Sequence, residues 1–158
     1  MKIIFIDLDD VFILHKGINA IPQYNHELKT MKDVYDSMDY YKEKLDINCV
    51  KNLKELVNQN VFIVVHSSWR RYFDLSQFKT MFSKYGIDEN KLIDVCQDNN
   101  GSSKINAISS YIQRNNIQDY VIIDDDSSLS CLDKFILINP ELGFDTVAYI
   151  QAKKMLNI

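Results

Sequence analysis

Five short apolar runs punctuate the chain: 2–7 (KIIFID), 61–66 (VFIVVH), 92–95 (LIDV), 120–123 (YVII) and 135–138 (FILI). Each is nearly continuous in its hydrophobicity, the pattern of parallel strands buried on both faces. The stretches between them carry helical spacing and predict helices near 28–45, 49–59, 72–84, 103–115 and 146–156. In the first of these, Leu28, Met31, Tyr35, Met38 and Leu45 recur at helical intervals and read as a packing face. Strands alternating with helices predict an α/β architecture: a central, mostly parallel five-stranded sheet flanked by helices. Right-handed crossovers place the carboxyl ends of such strands on one edge of the sheet, where ligands of these folds bind.

Composition narrows the class. A length of 158 residues predicts a single domain, 1–158, with a full core. With 46% hydrophobic and 25% charged residues, and only 4 Gly and 2 Pro, a disordered or collagen-like chain is excluded. No apolar run nears the roughly 20 residues of a membrane helix, so no membrane partner is expected. The run KIIFID is too short for a signal-peptide core and ends in acids. Cys49, Cys96 and Cys131 are far apart and form no CxxC pair, which suits a reducing, cytoplasmic setting. The net charge of −4 argues against a broad nucleic-acid-binding stripe while leaving a local basic patch open.

The polar residues that follow the strands carry the chemistry. Asp7, Asp9 and Asp10 follow the first run; Ser67, Ser68, Trp69 and Arg70 follow the second. Lys104 stands at the start of the 103–115 helix, and Asp124, Asp125 and Asp126 follow the 120–123 run. An extended exit from the first strand would point the side chains of Asp7 and Asp9 the same way. Carboxylates so close repel one another unless a cation or proton offsets them. A hard cation with oxygen ligands, Mg²⁺, resolves the conflict, held by one or two acids with water and a substrate phosphate. That leaves an acid free as nucleophile or proton carrier. Ser67 and Lys104 would then hydrogen-bond and neutralise a phosphoryl group.

Four segments, "DLDDV" (7–11), "VVHSSWR" (64–70), Lys104 and "VIIDDD" (121–126), occur in an order that resembles the haloacid dehalogenase (HAD) superfamily. The details "SSWR", "IIDDD" and the late "INPELGFD" (138–145) look like the HAD domains of Swiss-Army-knife RNA repair proteins. The resemblance implies a Rossmann-like HAD fold with a minimal cap and a Mg²⁺-dependent phosphatase working through an aspartyl-phosphate. It implies Asp7 as nucleophile, Asp9 as general acid then base, Ser67 as phosphoryl ligand and Lys104 as the cation steadying the phosphoaspartate. The metal would take Asp7, the main-chain carbonyl of Asp9, and Asp125 with Asp124 beside it. Ser68 and Arg70 are candidates for substrate binding. Asp10 departs from the family, which often has Gly or Thr there, and is expected to point outward.

Structural alternatives stand beside these roles. Ser67 or, more readily, Ser68 would cap the following helix, and Ser102 or Ser103 the helix at 103–115. Trp69 reads as packing, Arg70 and Arg71 as solvated, and His15, His26 and His66 as structural, since none has metal-ligand spacing. The 56 or so residues between Asp10 and Ser67 also contain helices the core needs, so only a small cap-like insertion, within about 15–45, fits. A lightly covered site suits a bulky phosphorylated end of RNA or DNA; the acidic balance suits a nucleotide or small phosphoester. A 5′(3′)-nucleotidase or small-molecule phosphatase is therefore an alternative, and a non-catalytic module sensing phosphate or metal is one of another class.

Overall fold

In the computed structural model, which describes residues 1–15, 39–97 and 103–158, the five apolar runs form one sheet. The strands are β1 (Lys2–Ile6), β2 (Val61–Val65), β3 (Leu92–Val95), β4 (Asp119–Asp124) and β5 (Phe135–Leu137). Their order is β3-β2-β1-β4-β5 and every pairing is parallel. The predicted "mostly parallel" sheet is thus wholly parallel. From β1 the chain builds outward through β2 and β3, then returns to add β4 on the other side. The order reverses between β1 and β4, and crevices at such switch points are where open α/β sheets take ligands.

Among the described residues four helices cover the sheet: α1 (Ile47–Val57), α2 (Leu75–Ser83), α3 (Lys104–Arg114) and α4 (Thr146–Leu156). Each starts where a side-chain oxygen accepts the orphan amides of the first turn. Asp46 accepts from Asn48 and Cys49, and Asp145 from Ala148. Ser103, one of the two serines expected to cap α3, accepts from Asn106. Helix α1 begins two residues before the expected 49 because Asp46 caps it there. Helix α2 begins at Leu75 instead of 72, because Asp74 and Gln77 form a reciprocal capping box. The expected helix at 28–45 and the cap-like insertion fall largely on residues 16–38, outside the described residues. No helix among the described residues is long and apolar enough to cross a membrane.

Side-chain parity divides the core into two layers. Ile4 and Ile6 of β1, Ile63 and Val65 of β2, and Val121 and Ile123 of β4 join the layer containing the buried faces of α1, α2 and α4. Ile3 and Phe5 of β1, Val64 of β2 and Ile122 of β4 pack with Ala107, Ile108 and Tyr111 of α3. Continuing the alternation to the strand ends, one residue past β1 and β2 and the last residue of β4, assigns Asp7, His66 and Asp124 to the α3 side. Backbone bonds carry the sheet that far: the amides of Asp7, His66 and Ile138 donate to the carbonyls of Ile123, Ile6 and Asp124.

The chain after β1 turns at once. The Leu8 carbonyl accepts from the amides of Val11, Phe12 and Ile13, and Leu8, Val11, Phe12 and Ile13 are all buried. This apolar turn is braced from the far end of the sequence by Phe144, whose amide donates to Val11 O at 2.9 Å. Gly143 makes that approach possible. Its φ is +64°, and an added Cβ would stand 2.7 Å from the Val11 carbonyl oxygen and 2.8 Å from Cys49 Sγ. Gly143→Ala combines left-handed strain with a clash against backbone. We expect it to lower stability by roughly 2–4 kcal/mol in denaturant unfolding; a loss below about 0.5 kcal/mol, the scale of ordinary surface changes, would contradict this tight fit.

Candidate active site

The parity of the sheet is realised in the crevice between β1 and β4. Asp7 and Asp124, 3% and 0% exposed, lie on either side of it. Lys104, the first residue of α3, places its Nζ 3.1 Å from Asp7 Oδ2 and 2.9 Å from Asp124 Oδ2. A cation at a helix N-terminus opposes the macrodipole; here two buried carboxylates more than compensate. Burial works against the ammonium, but Asp7 and Asp124 override it and hold the Lys104 pKa above its ordinary value.

One ammonium does not neutralise the acids gathered here. Carboxylate oxygens of Asp7, Asp124 and Asp125 lie within 4.8 Å of one another. Burial, then the charge of Asp7, pushes Asp124 up to about 8. Burial, then Asp7 and Asp10, pushes Asp125 up to about 6. Asp7 Oδ1 is buried without a hydrogen-bond partner among the described residues. Three grouped carboxylates, one of them with an orphaned oxygen, are the environment of a hard divalent cation with oxygen ligands. The residues present therefore fit Mg²⁺, with Asp7, Asp124 and Asp125 the side chains grouped to hold it.

Asp9 goes elsewhere. Asp9 lies in the turn built on the Leu8 carbonyl and takes partners different from those of Asp7. Its Oδ1 receives His15 Nε2 at 3.2 Å and its Oδ2 receives Trp69 Nε1 at 3.0 Å. Burial raises the Asp9 pKa, with the His15 hydrogen bond opposing it. Asp10 adopts φ +56°, the left-handed conformation that explains why small or turn-forming residues suit this place. Its Oδ1 accepts from the His15 amide at 3.2 Å, so the side chain is half-buried and tied to the loop, where a purely outward one was expected.

After β2, residues Ser68–Arg71 form a short 3₁₀ turn. Its cap is Ser67, whose Oγ accepts from the Trp69 amide at 3.4 Å; Ser68, the expected cap, is inside the turn. Arg70 is buried, 6% exposed, where solvation had been the structural expectation. Its Nη1 donates to the carbonyls of His66 and Ser67 and braces the loop from beneath. Arg71 is exposed and Ser68 half-buried. His66 is fully buried, and its Nε2 donates to the Ile123 carbonyl at 3.3 Å. Burial lowers its pKa to about 4, so its 3.5 Å approach to Asp124 is not an ion pair.

His15 and Trp69 are the residues whose connection to the site the sequence does not disclose. Neither has informative spacing: a histidine six positions after Asp9 and an indole sixty positions away meet only through the fold. His26 lies outside the described residues. Asp126 caps the 3₁₀ turn at Ser127–Cys131 and does not belong to the three-acid group.

Comparisons with curated proteins and with solved structures find no match. A family model, the HAD domain in Swiss Army Knife RNA repair proteins, matches residues 3–148 and so takes in all four strand-exit segments. With nearly its whole length matched and its acids and lysine converging at one sheet edge, the chain belongs to this family of HAD domains.

Proposed function

We propose that the chain is a Mg²⁺-dependent phosphohydrolase that removes phosphate from a phosphomonoester through an aspartyl-phosphate on Asp7. Family membership supports a phosphohydrolase, and one observation carries the rest: Asp7 is gripped by Lys104 through Oδ2 while its buried Oδ1 has no partner among the described residues. Mg²⁺ held by Asp7, Asp124, Asp125 and the main-chain carbonyl of Asp9 would supply the positive charge that carboxylates and phosphoryl oxygens share. Asp7 attacks phosphorus as the bond to the leaving oxygen breaks, and Asp9 gives that oxygen its proton. Water then attacks the phosphoaspartate, Asp9 takes a proton back, and inorganic phosphate leaves. Lys104 offsets the charge of the transferring group. Ser67 Oγ accepts from the Trp69 amide, which leaves its O–H to donate to a phosphoryl oxygen. Ser68, half-buried in the 3₁₀ turn, is the candidate substrate contact on the β2 side, and Arg70 braces that turn.

The two opening acids should fail differently. Asp7→Asn keeps the size and removes the nucleophile, so turnover of an aryl phosphate and any phosphoenzyme burst should both vanish. Asp9→Asn should lose roughly 10²–10⁴-fold in turnover, yet still show a burst with a good leaving group. Full activity in Asp7→Asn would refute covalent catalysis. A wild-type protein that binds Mg²⁺ but turns over no phosphomonoester would instead favour a sensing module.

For the substrate we infer a phosphorylated RNA or DNA end, supported by the family's association with RNA repair proteins. In a screen across nucleotides, sugar phosphates and 3′- or 5′-phosphorylated oligonucleotides, kcat/KM should be highest for oligonucleotide ends. Equal or higher values on mononucleotides would favour the nucleotidase alternative.

The metal also has a signature in stability. Asp124 and Asp125 hold protons more tightly folded than unfolded. Without a divalent ion, their contribution is full below the ordinary carboxylate pKa and is lost as pH rises through about 6 and about 8. Mg²⁺ favours the ionised forms, so its increment in Tm should be larger at about pH 8 than at about pH 5. Asp125→Asn should raise the Tm of the metal-free protein and lose most of that increment. An increment equal in wild type and Asp125→Asn would remove Asp125 from the metal site.

A further inference from the structure

The carboxyl group of Asp9 is gripped on both oxygens by donors from two separate strand exits. His15 Nε2 reaches Oδ1 at 3.2 Å from the segment after β1, and Trp69 Nε1 reaches Oδ2 at 3.0 Å from the turn after β2. Donors on both oxygens fix the plane of the carboxyl group as well as its place. A carboxyl oxygen has two lone-pair positions, so neither of these two bonds takes up an oxygen's whole capacity.

The two donors are themselves held. Trp69 is 1% exposed, with its ring edge-on to Phe73 at 5.3 Å and its amide on Ser67 Oγ. His15 is 6% exposed, its amide bonded to Asp10 Oδ1 and its ring edge-on to Tyr41 at 5.1 Å. A buried indole N–H needs some acceptor, and a backbone carbonyl would satisfy a purely structural tryptophan. That both rings converge on one carboxyl group, which joins neither Lys104 nor the three-acid group, is what packing alone leaves unexplained.

We propose that His15 and Trp69 are positioning residues that lock the Asp9 carboxyl group in the orientation for proton transfer to the leaving oxygen. The role rests on the proposed phosphatase reaction. Asp9 gives its proton as the phosphorus–oxygen bond of the ester breaks, and recovers one from the water that later attacks the phosphoaspartate. A misoriented acid leaves attack by Asp7 intact but impairs departure of a basic alkoxide. An aryl oxide leaves without that help.

The test is the ratio of kcat/KM for an alkyl phosphate to that for an aryl phosphate, measured with Mg²⁺ on wild type, His15→Phe, His15→Gln and Trp69→Phe. Both substrates are assayed on one preparation, so any loss of folded protein cancels in the ratio. In His15→Phe and Trp69→Phe the ratio should fall about tenfold or more, the scale of one charge-assisted hydrogen bond. His15→Gln, which keeps a donor near the Nε2 position, should restore most of it. If Trp69→Phe does not fold, the His15 pair decides the matter alone. A ratio unchanged in His15→Phe, or His15→Gln no better than His15→Phe, would overturn the positioning role while leaving the phosphatase intact. A wild type that hydrolyses neither substrate would remove the phosphatase reading and this role with it.

Discussion

The contact on which the site depends is the ammonium of Lys104 set between Asp7 and Asp124. Two carboxylates on neighbouring parallel strands, both buried, would push each other apart and resist leaving water. A single cation at the start of α3 holds them together across the crevice. Among the described residues it is outnumbered, since Asp125 adds a third carboxylate and the charge of Asp10 reaches Asp125 as well. The surplus of negative charge makes the crevice a poor place for protons to leave and a good place for a hard cation to enter.

A second pattern is the separation of two carboxyl environments only two residues apart. Asp7 faces charge: an ammonium and two acids. Asp9 is buried and hydrogen-bonded to the ring N–H groups of His15 and Trp69, with the charge of Asp7 also reaching it. Environments that differ this much suit different tasks, and the proposed division into nucleophile and proton carrier follows that difference. The turn at Leu8 creates it. By breaking the extended run after Asp7, it sends the second acid toward β2 and its 3₁₀ turn. The buried plug of Val11, Phe12 and Ile13, tied to Phe144, keeps that turn from relaxing.

The layer structure explains why the acids meet at all. The residues just past β1 and β2 and the last residue of β4 inherit the face occupied by Phe5, Val64 and Ile122, which is the face α3 covers. Asp7, His66 and Asp124 therefore arrive beneath the N-terminus of the same helix. His66 approaches Asp124 as a neutral ring whose Nε2–H donates to the Ile123 carbonyl. A charged side chain there would compete with Lys104 for the same acids.

Much of this was legible in the residues alone. Continuous apolar runs such as VFIVV announce doubly buried strands, because in a parallel sheet covered on both faces every side chain faces the core. Acids, serines and a lysine placed immediately after those runs mark a ligand-binding edge, because right-handed crossovers align the strand ends. Spacing misled where the backbone left its regular path. Asp7 and Asp9 have different hydrogen-bond partners, and three amides converge on the Leu8 carbonyl where the strand's alternation ends. Arg70 is buried and Ser67, not Ser68, is the cap, because a 3₁₀ turn intervenes before α2. The partnership of Asp9 with His15 and Trp69 belongs to the tertiary structure entirely. Periodicity reports which face a residue occupies within its own element; which loop reaches which acid depends on strand order and on the path of two turns, and neither is periodic.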